Sequence, residues 1–399
     1  MTDLIRAVVN SSRSAPNDVL SAFTPSVLKN VIAFHQSIPG YRPTPLTPLP
    51  LLARTLGVKT IQVKDESHRF GLNAFKALGA SWAMANHLAQ QLELTEQSLT
   101  FPQLQAALRH QPSLTQTFAT TTDGNHGRGV AWMARLSGQK AVINMPAGTT
   151  TERLQAIRAE GAAAQIVPMN YDDAVRLTAK QAEEAGWVIM QDTAWPGYEA
   201  IPLWIMQGYS TLITEIAEQL TELPTHLFVQ AGVGAFAGAI QAAAIARWGE
   251  QAPRVIIVES SQADCLYRSV QRNDGQTVAV SGALETIMAG LACGEANTIA
   301  WPILRDNSYA FLSCEDEVAA LGMRMLAAPC PGDMPITSGE SGAVSAGALG
   351  ILMQPDYASM AQMLDLDHNA RVLLISTEGD TDKAGYRNIV WGGQHTLSL

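Results

Sequence analysis

The chain has 399 residues, 47% hydrophobic and 16% charged. That is apolar enough for a large core and too poor in charge for a disordered chain. Its 26 Lys and Arg against 36 Asp and Glu leave a net charge of −10 with no basic block, which argues against a nucleic-acid-binding surface.

Residues 1–20 carry Asp3 early and only a short apolar patch, which does not read as a secretory signal. The proline-rich stretch 38–50 cannot be a helix and is expected to run extended into the first strand. Apolar runs predict strands at 60–64, 117–121, 141–145, 164–168, 187–191, 226–230, 254–259, 309–313 and 371–376. Helix-period segments alternate with them at 75–92, 151–160, 172–185, 234–248 and 341–353. Thr150 and Ser313 are candidate N-caps, each followed by acid. Strands alternating with helices predict parallel sheets covered on both faces. Residues 93–116, polar and helix-prone, look like an insertion. The uncharged stretch 227–246 is long enough to span a bilayer. Its Gly/Ala content and its two glutamines, Gln230 and Gln241, fit a buried strand, turn and helix better.

Five motifs sit at element ends. Lys64 to Lys76 reads K-D-E-S-H-R-F-G-L-N-A-F-K and places Lys76 in a first helical turn. There the macrodipole disfavours a cation, and an amine kept less protonated suits Schiff-base chemistry. Thr120 to Gly129 reads T-T-T-D-G-N-H-G-R-G, a turn at a strand's carboxyl end where open α/β sheets place ligands. Gln230 to Gly238 reads Q-A-G-V-G-A-F-A-G. A glycine turn opening a helix there can hold a phosphate on its backbone N–H groups. With Glu259 downstream, this turn also fits a dinucleotide-binding dehydrogenase. Ser338 to Ala343 and Ser376 to Asp382 put hydroxyls and carboxylates at element ends, where simple capping is the competing explanation. Asp123 and Asp192 end neighbouring strands, a placement suited to acid–base work.

The four cysteines, Cys265, Cys293, Cys314 and Cys330, form no C-x-x-C pair, and no metal site is expected. They read as small buried hydrophobes in a reducing cytosol, with a Cys265–Cys293 bridge left open.

In this order and spacing the five motifs resemble the fold-type-II pyridoxal 5′-phosphate enzymes, the tryptophan synthase β-like family, from about residue 40 to the C-terminus. The resemblance implies an α/β fold: two three-layer α/β/α domains with mainly parallel sheets. Residues 84–205 would form a small domain inserted between the segments 1–83 and 206–399. It implies that Lys76 forms the Schiff base and that Asn125 contacts the pyridine 3′-oxygen. Gly232, Val233, Gly234, Ala235, Phe236 and Ala237 would cradle the phosphate. Thr377 or Ser376 would face the pyridine nitrogen, Glu340 would lie near the ring edge, and Tyr171 would border the ring. Dehydratases of the group usually carry Ser-x-Gly-Asn-His at the second motif, whereas Asp123 stands in this loop. An acid there fits a cationic β-ammonium. The expected enzyme is therefore a carbon–nitrogen lyase that expels ammonia from a small diamino acid, with Asp123 and Asp192 working on opposite faces of Cα. A serine or threonine dehydratase and a non-catalytic ligand-binding relative are the alternatives. The group is usually homodimeric; a cytoplasmic protein without nucleic-acid or membrane partners is expected.

Overall fold

The runs rich in Val, Ile and Leu form strands, as β-branched and apolar residues favour a pleated, buried ladder. The structure is a computed structural model that describes residues 3–11, 13, 18–95 and 99–397. Parts of two expectations, the N-terminal stretch 1–20 and the 93–116 segment, lie outside the described residues. The strands are β1 (Ile5–Val9), β2 (Leu46–Pro48), β3 (Thr60–Asp65), β4 (Thr117–Thr121), β5 (Lys140–Met145), β6 (Ala163–Ile166), β7 (Val188–Ile189), β8 (His226–Gln230), β9 (Arg254–Ser260), β10 (Ala310–Cys314) and β11 (Arg371–Ser376).

Two compact units result. The first comprises residues 1–24, 44–68 and 212–399, and the second comprises 25–43 and 69–211. The first is built on a seven-stranded sheet in the order β1-β10-β9-β8-β11-β3-β2. Its five central strands are parallel, and only β1 and β2, at the edges, run antiparallel. Every residue of β8 and β10 is buried. Successive side chains of a strand point to opposite faces, so such strands are covered on both. The second unit carries a four-stranded parallel sheet in the order β6-β5-β4-β7. Both units are three-layer α/β/α bodies.

Three expectations need correction. The stretch 38–50 does not lead into the first strand, because β1 and the helix Pro25–Gln36 precede it. Its last proline, Pro50, opens the helix Pro50–Leu56, where a missing N–H costs nothing. Ser313 is not an N-cap. It still lies in the β10 ladder opposite Glu259 and its hydroxyl bonds Asp264 at 2.8 Å, while Glu315 precedes the helix Asp316–Ala327. Thr150 does cap, accepting from the Arg153 N–H at the start of Thr151–Ala159. The stretch 227–246 is β8, a turn and the helix Ala235–Trp248, and no helix among the described residues is long and apolar enough to cross a membrane. All four cysteines are free. Cys265 and Cys314 are buried, but Cys293 and Cys330 only half so. The Cys265 thiol faces the Cys293 carbonyl oxygen at 3.9 Å.

Candidate active site

In the second unit, Asp123 and Asp192 follow β4 and β7, which pair side by side. Lys76 immediately precedes the helix Ala77–Gln91. Its ammonium donates to Asp192 Oδ2 at 2.5 Å. The less-protonated amine expected from the helix start is not found. Burial works to lower the Lys76 pKa, but the charge of Asp192 outweighs it and holds the amine above the ordinary lysine range. Burial likewise pushes the Asp192 pKa up, and above all the charge of Lys76 pulls it down to about 2. The two form an ion pair with side chains 21% and 12% exposed.

Close helix packing sets the pair's position. A Cβ on Gly129 would lie 3.0 Å from the Ala77 Cα, and one on Gly208 2.4 Å from the Leu78 carbonyl oxygen. The glycines let the helices Asn125–Leu136 and Ala200–Tyr209 approach the start of Ala77–Gln91. Arg128 ties the segment before Lys76 by donating to the Leu72 carbonyl at 3.0 Å.

The turn of the second motif is organised by Thr122, whose hydroxyl accepts from the N–H groups of Gly124 and Gly127. Asn125 is thereby the first residue of its helix. His126 is buried, and its Nε2 faces the Met190 carbonyl at 2.7 Å. That contact makes Nε2 the donor, so bare Nδ1 lies 3.9 Å from Asp192. Burial holds the His126 pKa below the usual histidine value, so the ring is neutral near pH 7. Gln191 pins the end of β4: its side chain bonds both the N–H and the carbonyl of Thr121 and donates to the Tyr171 hydroxyl at 2.8 Å. Tyr171 is thus tied to the end of β4 through Gln191. The structure adds Gln191, His126 and Arg153 to the site: His126 lies within the second motif, whereas Arg153, 3.7 Å from Asp123, has no motif to announce it.

The first unit brings its three motifs to the carboxyl ends of β8 and β11. The turn after β8 leads into Ala235–Trp248, and no side chain caps that helix. Gly234 has φ +92°, and a Cβ on Gly232 would lie 3.2 Å from the Gly290 carbonyl oxygen. Neither Gly232 nor Gly234 has room for a side chain, and a helix N-terminus opens directly behind them, which suits a phosphate. The segments around 338–342 and 376–379 lie against each other. Gly339 N–H donates to the Glu378 carbonyl at 3.0 Å, and Ser376 donates to the Ser338 hydroxyl at 2.7 Å. Neither Ser338 nor Ser341 caps the helix Glu340–Leu352, so capping does not explain the fourth motif. It explains part of the fifth: Asp382 caps Lys383–Val390. Thr377 and Ser376 are both buried. Gln230 donates to the Thr377 hydroxyl at 2.8 Å and to the Ile375 carbonyl at 2.9 Å. Glu340, buried, opens its helix.

Glu259 has another use than a ribose. Fully buried, it accepts the N–H groups of Leu266 and Tyr267 at 2.8 and 2.6 Å, at the start of the helix Cys265–Arg272. The dehydrogenase reading loses its acid.

The family of pyridoxal-phosphate-dependent enzymes matches residues 38–378. A diaminopropionate ammonia-lyase from Salmonella typhimurium is 50% identical over 402 residues, covering 99% of this chain and all of that one. The chain belongs to this family of pyridoxal-phosphate-dependent lyases. The holo crystal structure of the Escherichia coli diaminopropionate ammonia-lyase superposes with a TM-score of 0.93 at 49% identity, covering 99% of this chain and 98% of that one. The same E. coli enzyme in complex with D-serine gives 0.92 at 48%, with the same coverage. The family's cofactor fits what is present: a glycine turn opening a helix that no side chain caps, a lysine amine beside a carboxylate, and hydroxyls at strand ends.

Proposed function

We propose that this chain converts 2,3-diaminopropionate, as D- and L-isomers, with water to pyruvate and two ammonia molecules. The observation that carries the reading is the Lys76–Asp192 pair at the end of β7 with Asp123 at the end of neighbouring β4. A lysine for carbonyl chemistry and two acids for a cationic substrate are thus supplied by one unit.

Pyridoxal 5′-phosphate, bound through Lys76, would draw electrons from Cα and so acidify its proton. Gly232 to Ala237 would hold its phosphate, Asn125 its ring oxygen, Thr377 or Ser376 its ring nitrogen, and Glu340 its ring edge. A hydroxyl there, rather than a carboxylate, would leave that nitrogen unprotonated and so favour elimination over racemisation. Lys76 Nζ must lose a proton before it can attack a carbonyl carbon; Asp192 Oδ2, beside it, relays that proton to solvent and is ionised again before the α-proton is taken. Asp123 and Asp192 then take the α-proton from opposite faces, Asp123 from the D-isomer and Asp192 from the L-isomer. Either carboxylate also offsets the charge of the β-ammonium before it leaves as ammonia. His126, neutral, donates from Nε2 to Met190 and leaves Asp192 without a competing cation. A homodimer in the cytoplasm, with residues 84–205 as the inserted domain, completes the proposal.

The test is an absorbance scan followed by a pyruvate assay. The purified protein should show a visible-edge band that Lys76→Ala removes, and it should release pyruvate from diaminopropionate. Pyruvate from serine but not from diaminopropionate would replace the lyase by a dehydratase. Tight NAD binding without the band would revive the dehydrogenase.

A further inference from the structure

Arg153 lies outside all five motifs, yet it stands beside one of the two acids. Its guanidinium Nη1 is 3.7 Å from Asp123 Oδ2, with side chains 10% and 29% exposed. Its stem packs on the turn that carries the acid. Gly124 has φ +154°, and a Cβ there would lie 3.0 Å from the Arg153 Cδ. The start of its helix is fixed, since Thr150 accepts from the Arg153 N–H. The side chain is therefore nearly buried, anchored at its base, seated along the Asp123–Gly124 backbone and charged at its tip toward Asp123. Arginine stays protonated throughout the working pH range. Asp192 has a different cation, Lys76 at 2.5 Å. Each acid thus has its own ion-pair partner, Arg153 for Asp123 and Lys76 for Asp192, although the charge of Asp123 also reaches Lys76.

We propose that Arg153 is a positioning residue for Asp123 and so a determinant of isomer specificity. It holds the Asp123 carboxylate for the substrate isomer that this acid deprotonates and contributes nothing to the isomer served by Asp192. The inference rests on the two-acid reading above and makes no claim about which isomer belongs to which acid.

The experiment compares kcat and KM for D- and L-diaminopropionate in cofactor-loaded wild type, Asp123→Asn, Arg153→Met, Arg153→Lys and the double variant Asp123→Asn/Arg153→Met. Asp123→Asn identifies the isomer that depends on Asp123. Arg153→Met should lower kcat for that same isomer about ten- to a hundredfold, the cost of a misplaced group. It should leave the other isomer within about twofold and leave the visible absorbance of bound cofactor and the melting temperature unchanged. Arg153→Lys should restore part of the loss. In the Asp123→Asn background the Arg153 change should cost nothing further, because two residues acting through one contact are not additive. Equal losses for both isomers, loss of bound cofactor, or full additivity in the double variant would overturn the proposal. If Asp123→Asn lowers both isomers alike, the two-acid reading has failed instead.

Discussion

Replacing Asp192 by Asn removes the partner of the Lys76 ammonium while keeping the shape of the side chain. The cost in the cofactor-stripped protein can be worked in two ways. The Asp192 pKa moves from 3.8 to about 2 on folding, and at about 1.4 kcal/mol per unit that shift is worth about 2–3 kcal/mol. Exposed ion pairs are worth about 0–1 kcal/mol, and breaking a fully buried one costs about 3–5 kcal/mol. A pair 21% and 12% exposed falls between, in agreement. The sign follows from the depressed value. The stabilisation is complete above pH 3.8, the unfolded value, and is lost as pH falls toward about 2. Urea unfolding of cofactor-stripped wild type and Asp192→Asn, followed by circular dichroism, should therefore show a gap of about 2 kcal/mol at pH 7. The gap should be the same at pH 5 and narrower at pH 3. A gap below about 0.5 kcal/mol at pH 7, or one that widens in acid, would refute the ion pair as the source of the shift.

Gly234→Ala forces a side chain into a turn with φ +92° and within 3.1 Å of Leu304. It should cost about 1–2 kcal/mol of stability and weaken cofactor affinity, read by titrating pyridoxal phosphate against the visible band. Gln230→Leu strips Thr377 and the Ile375 carbonyl of their donor; a loss of about 1–3 kcal/mol is expected in thermal unfolding. Lys64 and Glu215, buried at 2.6 Å in the first unit, should respond asymmetrically. Lys64→Met alone should cost about 3–5 kcal/mol, and Lys64→Met/Glu215→Leu should recover most of it. Thr150→Ala removes a helix cap and should cost about 1 kcal/mol by the same measurement.

The sequence by itself determined the alternation of strands and helices, because a buried parallel strand needs a short apolar run and its crossover needs a helical period. The runs at 226–230 and 371–376 coincide with β8 and β11. It also located the glycine turns, because only glycine tolerates φ +92° at Gly234, and the lysine and acids, because reactive groups gather at strand ends. The edge strand β1 and the helix Pro25–Gln36 escaped it, since their places depend on pairing with Ala310–Cys314 and on joining residues far along the chain. Charge states were equally out of reach. The helix start argued for a weakly protonated Lys76, but a carboxylate 116 residues away decides the opposite. Arg153 shows the same limit, because its meaning lies in a contact with Asp123 that no local pattern encodes. Local chemistry is written in neighbouring residues, whereas the electrostatic partner of a buried charge is chosen by the fold.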